Sequence, residues 1–236
     1  PIWRFRLPSK KLFKPLLIFS ISMGVLVYVF MNLSLYHSSI ISPIILGSQL
    51  AIPFGILASA FILKENISKN KWLLILTSFI GILIIFFDPK LNENYLGLFY
   101  ASLMALFFGL AQVYSRQLKE LPTSMINAST GIFGFVILFV ISTLIEGNIY
   151  NNIKQINLSS WVLISYQAVI VSLCAHLLMF YLYKFYTVGQ IFPFYSLFPI
   201  FGIILTFLIF GEIPSLLFFF GSFIVISSVI LLQKTK

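Results

Sequence analysis

The stretch FPIFGIILTFLIFGE, residues 198–212, decides the fold class of this chain. It is an almost uninterrupted apolar run with a proline near its start, Pro199, and a carboxylate at its end, Glu212. A second stretch, IPFGILASAFILKE at residues 52–65, repeats the pattern. A helix rises about 1.5 Å per residue, so about 20 apolar residues cross the hydrocarbon layer of a bilayer. The sequence therefore predicts helices that span a membrane.

Composition indicates that lipid is the main solvent of the chain. The chain is 60% hydrophobic and 9% charged, whereas a soluble domain is about 45–50% apolar and about 25% charged. The single cysteine, Cys174, excludes an internal disulfide and any multi-cysteine metal site. We expect this cysteine to be a small buried apolar residue.

Polar breaks divide the chain into eight candidate spans, which are residues 15–36, 43–63, 71–87, 95–115, 124–145, 161–183, 190–210 and 215–233. A closed β-barrel also satisfies its backbone in lipid, but it needs alternating apolar and polar residues. Stretches such as LLFFFGSFIVISSVILL, residues 216–232, do not alternate. The sequence therefore predicts an all-α, polytopic membrane bundle of eight transmembrane helices.

The distribution of basic residues predicts the orientation. With the N-terminus in the cytoplasm, eight alternating spans leave thirteen basic residues inside, namely Arg4, Arg6, Lys10, Lys11, Lys14, Lys64, Lys69, Lys71, Arg116, Lys119, Lys184, Lys234 and Lys236, and only Lys90 and Lys154 outside. Cytoplasmic loops carry such an excess of Lys and Arg. The bias favours an even number of crossings with both termini cytoplasmic. It also assigns the net charge of +9 to topology rather than to nucleic-acid binding.

The chain repeats itself at an offset of 147 residues, which aligns Glu65 with Glu212. The matches that carry most weight at this offset are Tyr36 with Tyr183, Gly55 with Gly202 and Ser68 with Ser215. Five crossings separate the two copies, and this odd number means that the copies face opposite ways in the membrane. Many secondary transporters use such an inverted-topology repeat to expose a central site alternately to each side.

The repeat resembles the EamA-type family of the drug/metabolite transporter superfamily. The hallmark of that family is an apolar helix with an early proline that ends in Gly-Glu and is followed by a short loop and a last helix containing glycine. The second copy matches at Pro199, Gly211, Glu212 and Gly221, whereas Lys64 replaces the glycine in the first copy.

The resemblance implies a fold of ten spans in two five-span halves, of which this chain holds the third to the tenth. Residues 1–14 then form a cytoplasmic segment, residues 15–88 a partial first repeat of three helices, and residues 95–233 a second repeat of five. Pro1 either marks a fragment of a ten-helix protein or follows a removed initiator methionine, and both alternatives stay open.

The prolines and acids of the two copies have separate interpretations. Pro53 and Pro199 each free a backbone carbonyl and bend a helix, so they are either hinges of a moving transporter or static kinks. We expect Glu65 and Glu212, at span ends, to stop their helices or to pair with a neighbouring base such as Lys69.

Small residues recur at four-residue spacing, and we interpret them as packing stripes that let helix backbones approach closely. They are Ala51, Gly55 and Ser59; Ala101, Ala105 and Gly109; and Gly202 and Thr206.

Polar groups inside spans are the candidate solute-binding residues, because each must find a partner or line a wet cavity. They are Asn32, Gln49, Gln112, Gln167, His176 and Tyr195. His176 is the only ionisable group well inside a span; it either takes part in gating or proton coupling, or forms a neutral hydrogen bond between helices. The scarcity of buried charge favours a neutral, zwitterionic or amphipathic solute.

These features favour a secondary transporter that moves a small metabolite, such as an amino acid or related compound, across the bacterial inner membrane by alternating access. A second hypothesis is a non-transporting membrane subunit or a truncated half that needs a partner. A membrane enzyme is disfavoured, because no HExxH motif, carboxylate pair or Cys/His group occurs. We expect no catalytic residue, metal or cofactor, and the expected partners are lipid and a small solute, with a homodimer left open.

Overall fold

The chain folds into helices over the residues that the computed structural model describes, which are 9–89, 94–145, 147, 149–175, 178 and 198–234. No strand occurs among these residues. The helices are α1 (Lys10–Tyr36), α2 (Ser42–Leu63), α3 (Lys69–Phe86), α4 (Tyr95–Gln117), α5 (Thr123–Ile145), α6 (Ile149–Gln155), α7 (Leu158–Tyr166), α8 (Phe198–Phe210) and α9 (Leu216–Lys234).

Two of the long helices contain a turn of different pitch. In α1 the residues Ser22–Leu26 form a π-helical turn, and in α2 the residues Ser48–Leu50 form a 3₁₀ turn. Helix α7 continues directly into a π-helical stretch at Gln167–Ala175. The residue composition of these turns did not predict them.

Six helices, α1 to α5 and α9, are long and apolar enough to cross a membrane. They coincide with six of the eight predicted spans, although α1 begins at Lys10, five residues before the predicted start. The spans predicted at 161–183 and 190–210 appear as the shorter apolar helices Leu158–Val171 and Phe198–Phe210. Residues 176, 177, 179–183 and 190–197 of these spans lie outside the described residues. The prediction of an all-α polytopic membrane bundle is confirmed.

The chain divides into two compact units, Pro1–Gly134 with Pro193–Lys236 and Phe135–Phe192. The core of the larger unit contains Leu46 and Leu50 of α2, Ile85 of α3, Leu98 of α4 and Val225 of α9.

In the smaller unit, the described side chains of α7 are largely exposed. Cys174 is exposed too, so the prediction that it is buried is wrong. In a bilayer, lipid can give such a thiol the apolar surroundings that we expected from protein.

Helices α2 and α4 approach so closely that their backbones touch. A Cβ atom added at Gly109 would lie 2.7 Å from the carbonyl oxygen of Ala51 and 2.7 Å from the backbone nitrogen of Gly55. Ala101 of α4 is fully buried, and its Cβ lies 3.0 Å from where a Cβ of Gly47 would stand. Small residues thus act as packing residues at this interface, since in lipid the close fit itself provides the attraction.

Helices α3 and α9 pack in the same way and run antiparallel. A Cβ at Gly221 would lie 2.7 Å from the carbonyl oxygen of Gly81, and a Cβ at Gly81 would lie 2.7 Å from Val225. At the end of this pair, Ser215 hydrogen-bonds Asp88. Residue numbers therefore rise along α3 while they fall along α9.

Three local geometries recur at the offset of 147 residues. The residues that follow α2 and α8, Lys64 and Gly211, both have left-handed backbones, with φ values of 55° and 67°. Gly211 adopts this conformation without a side-chain penalty, whereas Lys64 does so against the usual preference.

The other two recurring geometries involve hydroxyl groups. Ser68 caps α3 by accepting from the backbone N–H of Lys71 at 3.4 Å, and Ser215 caps α9 by accepting from Phe218 at 3.0 Å. Ser59 and Thr206 each donate to the carbonyl three residues earlier, at 2.8 and 2.9 Å. Equivalent positions of the two stretches thus have the same backbone chemistry.

We predict that Gly109→Ala destabilises the protein by about 1–3 kcal/mol, because its methyl group would overlap the α2 backbone. Thermal unfolding in detergent, followed by tryptophan fluorescence, measures this change. Gly131→Ala in α5 is the matched control, since a Cβ there meets nothing within 4 Å, and it should leave the midpoint unchanged or slightly raised. Equal midpoints for the two variants would contradict the proposed packing.

Candidate functional site

A carboxylate from one part of the larger unit caps a helix from another. One oxygen of Glu212 accepts a hydrogen bond from the backbone N–H of Ile41 at 2.7 Å. The other accepts from the backbone N–H of Ser42 at 3.0 Å and from its hydroxyl at 2.5 Å. The Ser42 hydroxyl also lies 2.8 Å from that of Thr206 on α8. We call Ile41, Ser42, Thr206 and Glu212 the capping cluster.

The chemistry of a helix start explains why an acid occupies this position. The first backbone N–H groups of a helix lack partners within it, and the helix dipole makes this end positive. Helix α2 begins at Ser42, and Pro43 in its first turn has no N–H to satisfy. Glu212 therefore supplies, from a position 170 residues later in the chain, the anionic cap that α2 does not contain.

The turn between α8 and α9 places Glu212. Helix α8 ends at Phe210, and the left-handed Gly211 that follows turns the chain sharply. Ser215 then begins α9 by capping Phe218. This short connection positions the acid beside the start of α2.

A second carboxylate borders the same region. Asp88, which follows α3, is buried and accepts a hydrogen bond from the Ser215 hydroxyl. Both acids line a cleft of about 110 Å³, whose walls are Ile40, Ser42, Pro43, Asp88, Glu212, Ile213, Pro214, Ser215 and Phe218. Sites for small molecules usually have about 300–1,000 Å³. The cleft therefore has room for a few water molecules, and it is smaller than the usual site for a solute.

Asn94, at the start of α4, holds the connection between α1 and α2. Its side-chain oxygen accepts from the backbone N–H of Ser39 at 2.6 Å and from the hydroxyls of Ser38 and Ser39, each at 3.1 Å. The buried hydroxyl of Ser34 donates to the carbonyl of Gly97 at 2.7 Å. The start of α2 is thus attached to α4 on one side and to Glu212 on the other.

The equivalent acid of the first copy is in a different environment. Glu65 forms a salt bridge with Arg116 at the end of α4, with 3.3 Å between the charged atoms and with 49% and 55% of the two side chains exposed. The expectation that Glu65 pairs with a base agrees with this salt bridge, although the base is Arg116 rather than Lys69, which was named as an example. Helix α2 packs on α4, which brings the end of α4 close to Glu65.

Among the predicted solute-binding residues, Gln49 has the most enclosed position. Its side chain is 8% exposed and lies in the 3₁₀ turn of α2. It is one helical turn after Ile45, the residue that packs against Gly202 of α8, and therefore shares the face that α2 turns to α8. Gln112 of α4 is half-buried. No hydrogen bond joins the two amides in the described part of the chain.

The other candidates have different surroundings. Asn32 is exposed, and its amide donates to the carbonyl of Tyr28 in its own helix at 2.8 Å. Gln167 is exposed at the start of the π-helical stretch of the smaller unit. His176 and Tyr195 lie outside the described residues.

Both candidate hinge prolines are buried. Pro53 lies three residues after the end of the 3₁₀ turn at Ser48–Leu50, and its missing N–H frees the carbonyl of Gln49 in that turn. Pro199 lies in the first turn of α8. Whether either residue acts as a hinge stays a prediction.

The capping cluster and the cleft were not anticipated from the sequence. The acid was visible at the end of a span, but two of its three donors are backbone N–H groups, which have no sequence signature. The sequence feature that could have pointed to the cleft is the small number of acidic residues. The chain has only six of them, and two border this cleft.

A family model described as the EamA-like transporter family matches residues 95–233, which is more than half of the chain. The matched stretch contains α4, α5, α8 and α9 together with Glu212. The chain therefore belongs to the EamA-like transporter family, and with its apolar helices it is a multi-pass membrane protein. No curated protein matches the chain.

We predict that Glu212→Gln destabilises the protein more than Glu65→Gln. The new amide would direct N–H donors at the N–H groups of α2, which costs about 1–3 kcal/mol for the unsatisfied groups. Loss of the exposed Glu65–Arg116 pair costs about 1 kcal/mol or less. Thermal unfolding in detergent compares the two variants. A larger effect at Glu65 would contradict the capping role of Glu212.

Proposed function

We propose that this chain is a secondary transporter that moves a small metabolite, such as an amino acid or related compound, by alternating access. The observation that carries the proposal is the antiparallel pair α3 and α9, whose residues correspond at the offset of 147. Corresponding helices that run in opposite directions are the hallmark of an inverted-topology repeat. Membership of a transporter family agrees with this interpretation.

Recurring local geometry supports the division into two repeats. The left-handed residues at Lys64 and Gly211, and the serine caps at Ser68 and Ser215, occupy equivalent positions. The family model matches residues 95–233, the same range that we assign to the second repeat. Residues 15–88 then form a partial first repeat of three helices.

We place the protein in the bacterial inner membrane with both termini in the cytoplasm, on the strength of its basic residues. In this orientation the end with Glu212 and Asp88 faces the periplasm, and the end with Glu65 and Arg116 faces the cytoplasm.

The enclosed polar groups favour a neutral or zwitterionic solute. Asp88 is the only charged residue among the buried ones in the described ranges, and it is bonded to Ser215. Gln49 and Gln112 offer both hydrogen-bond donors and acceptors without charge. We therefore propose Gln49 as the first contact for the solute, with Gln112, Gln167, His176 and Tyr195 as further candidates.

A non-transporting subunit, or a half that needs a partner, is the alternative. Helix α7 has exposed apolar side chains, such as Trp161, Val162 and Leu163. Lipid, a second copy or another chain must cover them, and cover by a protein chain would favour this alternative. A homodimer is one form of this alternative.

Uptake and resistance assays in cells that express the chain test the transport function. For a solute that responds, we predict that Gln49→Leu raises the KM about tenfold, since one or two hydrogen bonds to the solute are lost. Transport rates over a range of solute concentrations measure the change.

Thr77→Val is the matched control for Gln49→Leu. Thr77 is a half-buried polar residue of α3 whose hydroxyl donates to the carbonyl of Leu73 in its own helix, at 2.8 Å, so its replacement should leave the KM unchanged. An equal effect of both substitutions would exclude Gln49 as a solute contact. A chain that moves no member of a broad solute panel would favour the non-transporting alternative.

A further inference from the structure

We propose that the capping cluster is the closing contact of one gate: Glu212 holds the end of α8 against the start of α2 and must release it before solute passes at that end. This inference rests on the proposed transport function. It assigns to the acid at the end of α8 a role beyond that of stopping its helix.

Two contacts hold α8 to the first turns of α2. The first is the capping cluster, in which Glu212 and Thr206 meet Ser42. The second lies one turn deeper, where Ile45 packs within 2.9 Å of the place that a Cβ of Gly202 would occupy. Gln49 is one turn deeper still. Separation of these two contacts would therefore open a path from the end of the bundle to Gln49.

The two helices that meet at these contacts, α2 and α8, are held differently by the rest of the larger unit. The start of α2 is fixed to α4, because Gly47 packs on Ala101 and Asn94 binds Ser39. In the described part of α8, Pro199 lies near the beginning and the left-handed Gly211 follows the end. These two residues are suited to act as joints, so α8 is the element that we expect to move.

The chemistry of the capping cluster suits a contact that is made and broken repeatedly. Hydrogen bonds between a carboxylate and N–H groups exchange for hydrogen bonds to water at small net cost. The adjoining cleft of about 110 Å³ has room for water beside the cluster. A backbone contact such as Gly55–Gly109 has no comparable exchange partner, since water cannot replace close packing.

The contact at Glu212 defines one state of the proposed cycle. Glu212 caps the start of α2, and its equivalent, Glu65, is half-exposed and, within the described ranges, bonded to Arg116. In alternating access, one gate is closed while the other is open. The structure is then the form closed at the Glu212 end, and movement of α8 converts it to the opposite form.

Distance measurements between two spin labels on the full chain in lipid nanodiscs test the gate without any solute. The labels replace Tyr36, which is 82% exposed at the end of α1, and Ile213, which is 72% exposed after Glu212, in a Cys174→Ser background. We expect a single short distance in this background. Glu212→Ala should raise the ratio of long to short distances about tenfold, and Ser42→Ala should raise it less. Glu65→Ala is the matched control and should leave the ratio at this end unchanged.

A disulfide between Ser42→Cys and Thr206→Cys provides the second arm, since their hydroxyls are 2.8 Å apart. Oxidation should stop transport, and reduction should restore it. Should Glu212→Ala fail to fold, Ser42→Ala and the disulfide still decide the matter. Unchanged distances in the variants that fold, or full transport with the disulfide closed, would overturn the gate and leave the transport function standing. Distances that respond in a chain that moves no solute would support the gate contact and refute the transport function.

Discussion

Close approach of helix backbones is the constraint on which the rest of this structure depends. Once apolar helices are in lipid, burial of apolar surface no longer drives them together, and only tight packing and hydrogen bonds remain. In the larger unit, α2 meets α4 at Gly55 and Gly109, and α3 meets α9 at Gly81 and Gly221. At Gly109, Gly81 and Gly221 an added methyl group would overlap the facing helix. By contrast, α8 meets α2 through a flexible isoleucine side chain and a few polar atoms. The firm and the movable contacts of the protein are therefore chemically different.

The parts of the fold that were predicted from sequence are those that depend on local composition. Runs of about 20 apolar residues mark spans because the bilayer has a fixed thickness, and glycines at four-residue spacing mark packing faces because the helix has a fixed period. The partners of Glu212 were not predictable in this way, since they are backbone N–H groups of Ile41 and Ser42. Glu65 was expected to stop its helix or to pair with a neighbouring base such as Lys69, whereas the packing of α2 on α4 provides Arg116 as the partner.

The candidate solute-binding residues were likewise predictable only in so far as they depend on local composition. Glutamines inside apolar runs were identifiable as candidates because they are costly in lipid, but sequence could not rank them. The structure separates the enclosed Gln49 from the exposed Asn32, whose amide is satisfied within its own helix. The π-helical turn in α1 left no signal in the sequence, because π turns arise from packing rather than from residue preference. Its Gly24 fits closely against Thr130 and Gly134 of α5.

That turn, Ser22–Leu26, has a consequence for how α1 meets its neighbours. An added residue in one turn rotates the remainder of a helix by about 100° relative to a regular one. Within the turn, Gly24 packs against Thr130 and Gly134 of α5, and beyond it Phe30 and Ser34 contact α4. One helix thus contacts two neighbours along its length. Movement of the π-helical turn along α1 would rotate the residues on one side of the turn relative to those on the other.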